Sequence, residues 1–210
     1  MSTQKPTIHI VDDDDSFRTA VARVLRVSGY HVALYDSADS VLENPPGVVP
    51  GCILLDLRMP GLSGPELQAR LVAAGNPLPI VFLTGHGDIP TSVLAIKAGA
   101  EDFLSKPVSR KTLIDAIERA LTRYEKTREQ HLRRDELRAL VGTLTPRESQ
   151  VFALVVRGKL NKQIAHELGT SERTVKAHRR AVMQKLGVAS LAEAVSIAER
   201  LGLLGPPHTT

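Results

Sequence analysis

Apolar residues recur along the first half of the chain in short runs of strand length. The runs are Ile8–Val11, His31–Leu34, Cys52–Leu55, Ile80–Leu83 and the brief pair Phe103-Leu104. Between them the apolar positions change to a helical period. Phe17, Val21, Val24 and Leu25 share one face, as do Val93, Ile96 and Lys97, and then Leu113, Ile114, Ile117 and Leu121. Strands that alternate with helices predict a doubly wound, five-stranded parallel sheet covered on both sides. In such a sheet the loops after the strands gather at one edge, and sites form there.

The second half reads almost entirely as helix. Thr145-Pro146-Arg147-Glu148 is a capping box with proline at the first helical position. Asn161 is the expected cap of a short second helix ending near Gly169. Ser171 caps a third, which runs to about Leu186, and Ser190-Leu191-Ala192-Glu193 opens a fourth. The tight Gly169-Thr170-Ser171 link predicts a helix-turn-helix within a small four-helix domain. From Glu118 to Leu140 the chain is dense in charge and free of Gly and Pro. A charged helical spacer is expected there, because the apolar heptad pattern of a coiled coil lapses after Tyr124. The expected division is residues 1–124, a linker at 125–142, and residues 143–210.

Composition adds the contrast between the halves. Residues 1–124 hold 12 Lys+Arg and 14 Asp+Glu, and residues 125–210 hold 15 and 9. An acidic front and a basic back suggest two modules, the second facing nucleic acid. The opening MSTQKPT lacks the apolar core of a secretory signal, and no apolar stretch has the length of a membrane helix. The expected address is the cytoplasm, with no membrane partner. The single cysteine, Cys52, lies in a strand run and reads as a buried core residue.

The polar residues at strand ends carry the chemistry. Asp12 and Asp13 follow the first strand, Asp56 ends the third, Thr84 ends the fourth, and Lys106-Pro107 follows the fifth. All should meet at one sheet edge. Carboxylates crowded there raise one another's pKa unless a cation intervenes. Oxygen-only ligands with open positions suit Mg²⁺. A lysine and a threonine hydroxyl at the same edge could hold added negative charge. Asp14 and Asp15 instead suit the start of the first helix.

These motifs resemble those of a response-regulator receiver domain of two-component signalling. They are Asp12-Asp13, "LLDLRMPGLSG" around Asp56, "LTGHGD", and "AGAEDFLSKP", spread over residues 7 to 123. The resemblance implies a flavodoxin-like fold and Asp56 as the acceptor of a phosphoryl group from a sensor histidine kinase. It implies Mg²⁺ held by Asp13, Asp56 and the Arg58 backbone carbonyl, with Asp12 assisting. Lys106 would pair with phosphoryl oxygens, Thr84 would move to hydrogen-bond one, and Phe103 would take the switch-aromatic position. The Lys106-Pro107 bond would be cis.

The segment 143–202 resembles the LuxR-type DNA-binding domain joined to receivers in the NarL/FixJ group, through "LTPRE", "NKQIA", "SERTVKAHR" and "MQKLGV". Val175, Val182 and Leu186 of the third helix can face inward, while Arg173, Lys176, Ala177, Arg180 and Gln184 share the other side. Lys176, Ala177 and Arg180 would approach base edges, with Thr174 beside them. Arg179 and Lys162 suit phosphate contacts. The implied protein is a transcription regulator rather than an enzyme, working with promoter DNA and RNA polymerase and pairing as a homodimer on phosphorylation. Two rivals differ in kind. An aspartyl-phosphate phosphatase would carry a second acid two residues after the nucleophile, where Arg58 stands. A DNA-binding protein whose receiver is only a dimerisation platform would bind its promoter independently of phosphorylation.

Overall fold

In a computed structural model of the chain, residues 5–47, 49–85, 96 and 98–204 are described. The strands are β1 (Thr7–Val11), β2 (His31–Tyr35), β3 (Gly51–Asp56), β4 (Ile80–Thr84) and β5 (Asp102–Ser105). They form one parallel sheet in the order β2-β1-β3-β4-β5. The helices are α1 (Asp15–Val27), α2 (Ala38–Glu43), α3 (Gly64–Ala73), α4 (Arg110–Gly142), α5 (Pro146–Val155), α6 (Asn161–Glu167), α7 (Glu172–Leu186) and α8 (Leu191–Arg200). The apolar face anticipated around Val93 and Lys97 lies outside the described residues, as does the "HGD" of the fourth-strand motif.

Strand alternation sorts the sheet's side chains into two cores. Ile8, Ile10, Cys52, Leu54, Val81, Leu83 and Leu104 point to one side, where Val21, Ala22 and Leu25 of α1 and Leu113, Ala116 and Ile117 of α4 cover them. Val11, Ile53, Leu55, Ile80 and Phe82 point to the other, against Val41 of α2 and Leu67 and Leu71 of α3. All six residues of β3 are buried. Each fully buried Leu or Ile there contributes about 1.5–3 kcal/mol, so the central strand is strongly anchored. Burial also pushes the Cys52 thiol pKa up, as suits an inert core residue.

The chain divides into two compact units, Met1–Arg128 and Glu129–Thr210. In the second, Val151, Leu154 and Val155 of α5, Ile164 and Ala165 of α6 and Val175 of α7 form one core. Phe152, Val182, Leu186, Ala194 and Ile197 form another, with Leu137 and Val141 from the end of α4 packed against it. A capping box explains where α5 starts. Thr145 accepts from the Glu148 N–H (3.3 Å), and the Glu148 carboxylate accepts from the Thr145 N–H (2.8 Å). Lys185 from α7 donates to the same carboxylate (2.6 Å) and holds its pKa below the usual range, with the Thr145 N–H assisting.

One cap differs from expectation. The residue before the first turn of α6 is Leu160, and Asn161 is already helical. Leucine has no oxygen to offer, so the Gln163 side chain caps instead, accepting from the Leu160 N–H (2.9 Å). The Asn161 side chain is thereby free to bond elsewhere, and it does so with α7.

Candidate functional site

β1 and β3 lie side by side, with crossovers leaving in opposite directions, so the C-terminal edge between them is an open crevice. Asp12 follows β1 there and is fully buried, and Asp56 closes β3 at 7% exposure. Asp13 stands beside them, exposed. One carboxylate oxygen from each of the three lies within 4.8 Å of the others. Thr84 ends β4 and is buried, and its carbonyl accepts from the Lys106 N–H (2.6 Å). Arg58 sits two residues past Asp56 at the same edge, its side chain exposed.

Lys106 reaches into this edge from beyond β5. Its Nζ lies 2.6 Å from Asp12 Oδ2 and 3.1 Å from Asp56 Oδ2. The other Asp12 oxygen accepts from the Asp14 N–H (3.0 Å). Burial alone would lower the Lys106 pKa, but its bond to Asp12 and the Asp56 charge outweigh that and raise it. Burial likewise lifts the Asp12 carboxyl, against the opposing pull of Lys106. The ammonium is therefore held charged among the carboxylates. The Lys106-Pro107 bond is cis, as anticipated. Phe103 is half-buried, its ring 6.2 Å from that of Phe82.

Glycine is required close to Asp56. A Cβ on Gly64, at the start of α3, would lie 2.3 Å from the Asp56 carbonyl oxygen and 2.9 Å from Phe82 Cε1. The glycine of "GLSG" thus lets α3 approach the end of β3, which shapes the edge holding Asp56.

The remaining aspartates serve the helix. Asp14 caps α1 by accepting from the Phe17 N–H (3.1 Å), and Asp15 pairs with Arg18 (2.7 Å). Arg18 also donates to the Asp12 carbonyl (2.5 Å), a contact with no signature in the sequence. Phe17, read from its period as a packing residue, places its ring centroid 4.3 Å from Lys106 Nζ.

The second unit presents the other candidate surface. Val175, Val182 and Leu186 of α7 are buried, whereas Arg173, Thr174, Lys176, Ala177, Arg180 and Gln184 are exposed, so the anticipated division of faces holds. Ser171 caps α7 by accepting from the Thr174 N–H (3.1 Å), and Gly187 ends it with a left-handed φ of 65°. Lys162 is exposed on α6, where it borders a groove with Lys159, Gln163 and His166. Arg179 is half-buried and donates to Asn161 Oδ1 (2.9 Å), which ties α7 to the start of α6.

A flavodoxin-like sheet with this acidic edge, followed by a helix-turn-helix, defines a signalling receiver coupled to a DNA-binding domain. Family comparison agrees across nearly the whole chain. Residues 8–118 match the response regulator receiver domain, and residues 142–198 match the bacterial regulatory proteins of the luxR family. The response regulator protein TmoT of Ectopseudomonas mendocina is 42% identical over 201 residues, covering 96% of this chain and 91% of TmoT. The transcriptional regulatory protein FixJ of Bradyrhizobium diazoefficiens is 41% identical over 202 residues, 96% and 98% of the two chains. Among solved structures, the response regulator StyR superposes with a TM-score of 0.81 at 48% identity, covering 94% of this chain and 100% of StyR. The chain belongs to the FixJ-like two-component response regulators, transcription regulators that join a receiver to a LuxR-type DNA-binding domain.

Proposed function

We propose that Asp56 accepts a phosphoryl group from a sensor histidine kinase and that this modification controls DNA binding by the second domain. The observation that carries the reading is the Lys106 ammonium lying between Asp12 and Asp56 at the crevice of the sheet, with Asp13 alongside. In the transfer, the P–N bond of the kinase's phosphohistidine breaks and its electron pair returns to the imidazole. An Asp56 oxygen forms the new bond to phosphorus. Lys106 moves onto the phosphoryl oxygens as their charge appears, and the Thr84 hydroxyl donates to one of them. Phe103 follows Thr84 inward, which alters the surface around β5. The crowded hard oxygen donors, one of them exposed, fit a divalent cation, so Asp12, Asp13, Asp56 and the Arg58 carbonyl would hold Mg²⁺. When bound, the ion would neutralise charge on the transferring group.

The receiver is assigned to 1–124, a charged helical linker to 125–142 and the DNA-binding domain to 143–210. Lys176, Ala177 and Arg180, with Thr174 beside them, would face base edges in the major groove, and Lys162 and Arg179 would contact phosphates. Phosphorylated receivers pair, and the homodimer presents two recognition helices to promoter DNA in the cytoplasm, where it meets RNA polymerase. Exposing the protein to phosphoramidate and Mg²⁺ and locating the label by mass spectrometry tests the first step. Asp56→Asn should take up no phosphoryl group. Label of wild-type amount on that variant would refute the assignment.

A further inference from the structure

The Lys106 ammonium has carboxylate oxygens on two sides, Asp12 at 2.6 Å and Asp56 at 3.1 Å. The Phe17 ring covers another, its centroid 4.3 Å from Nζ. In water an ammonium is strongly hydrated and directs three N–H donors to any acceptor. Here the lysine side chain is only 16% exposed. An aromatic face attracts the cation without claiming one of its hydrogen bonds, and the attraction grows where water is excluded. Phe17 is itself held in place. Its N–H is bound by the Asp14 cap, and its side chain lines a groove with Ala20, Val21 and Pro107, the residue after the lysine.

The geometry points to Phe17 as a positioning residue for phosphoryl transfer, its ring holding the Lys106 ammonium against Asp12 and Asp56 and keeping water from it. This inference rests on Lys106 acting on the phosphoryl group, as proposed above. A leucine would fill much of the same apolar space but has no π face. A tyrosine keeps the ring, and Phe17 is only half-buried.

The test uses the full-length protein with Mg²⁺ and phosphoramidate, a donor too small to depend on kinase docking. Phe17→Leu should slow the initial rate of Asp56 phosphorylation about five- to tenfold, whereas Phe17→Tyr should stay within about twofold of wild type. A second readout needs neither donor nor metal. In lysine-labelled protein the Lys106 Cε methylene protons should resonate upfield through the ring current, in wild type and Phe17→Tyr but not in Phe17→Leu; Lys106→Arg assigns the signal. Leucine and tyrosine variants that are equally fast, or equally slow, would overturn the inference while leaving the phosphoacceptor assignment standing. A wild-type protein that takes up no phosphoryl group would overturn both.

Discussion

Four adjacent aspartates occupy four different environments. Asp12 is buried with both oxygens engaged, Asp13 is exposed within the carboxylate cluster, Asp14 caps α1, and Asp15 pairs with Arg18. The division between acid cluster and helix start was legible, because a cap preference and a strand end are local signals. The Phe17 contact was not, because a phenylalanine at helical spacing looks the same whether it meets a leucine or an ammonium. The division predicts unequal metal binding. Asp13→Ala should weaken Mg²⁺ binding by about tenfold or more in calorimetry, and Asp15→Ala should change it little. Equal losses would mean that the cluster acts as diffuse charge.

Among the elements, the strands and their order of appearance follow the apolar runs closely, and α4 continues through the charged segment as its composition implies. Its exposed surface carries pairs such as Arg133 with Glu129, four residues apart. The start of α6 departs from expectation: Asn161 is already helical, and its side chain accepts from Arg179 of α7 instead of capping. That pair ties α7 to its neighbour and orients a cation proposed to contact phosphate. Arg179→Ala should weaken promoter binding and flatten its salt dependence by about one unit in log–log slope. Asn161→Ala should weaken binding less, and adding it to Arg179→Ala should cost nothing further. Fluorescence anisotropy across a salt series measures both, and fully additive losses would show that Asn161 does not act through Arg179.

Across the whole molecule, an acidic receiver and a basic helical domain are joined in one chain, and no single described helix is long and apolar enough to cross a membrane. One small reading helix contacts few base pairs, so tight and selective binding calls for two copies on paired half-sites. Light scattering at micromolar concentration should therefore show the mass doubling when Mg²⁺ and beryllofluoride are added. Asp13→Ala, with its weakened metal site, should stay monomeric under the same conditions. A wild-type mass that does not change would place the regulatory step after dimerisation or outside it.

The sequence by itself determined the alternation of strands and helices, the helix caps at Thr145, Ser171 and Ser190, and which face of α7 is buried. Those properties depend on residues within a turn or two of one another, where period and cap chemistry act directly. Only the tertiary structure decided that Lys106, expected at the same sheet edge as Asp12, bonds it directly from 94 positions away, that Phe17 covers the same ammonium, and that Asn161 bonds Arg179. The placing of β1 beside β3, the register of β4 against β5, and the rotation of α1 and α7 about their axes bring these groups together. Contacts of that kind arise from packing between distant segments, which leaves no period along the chain.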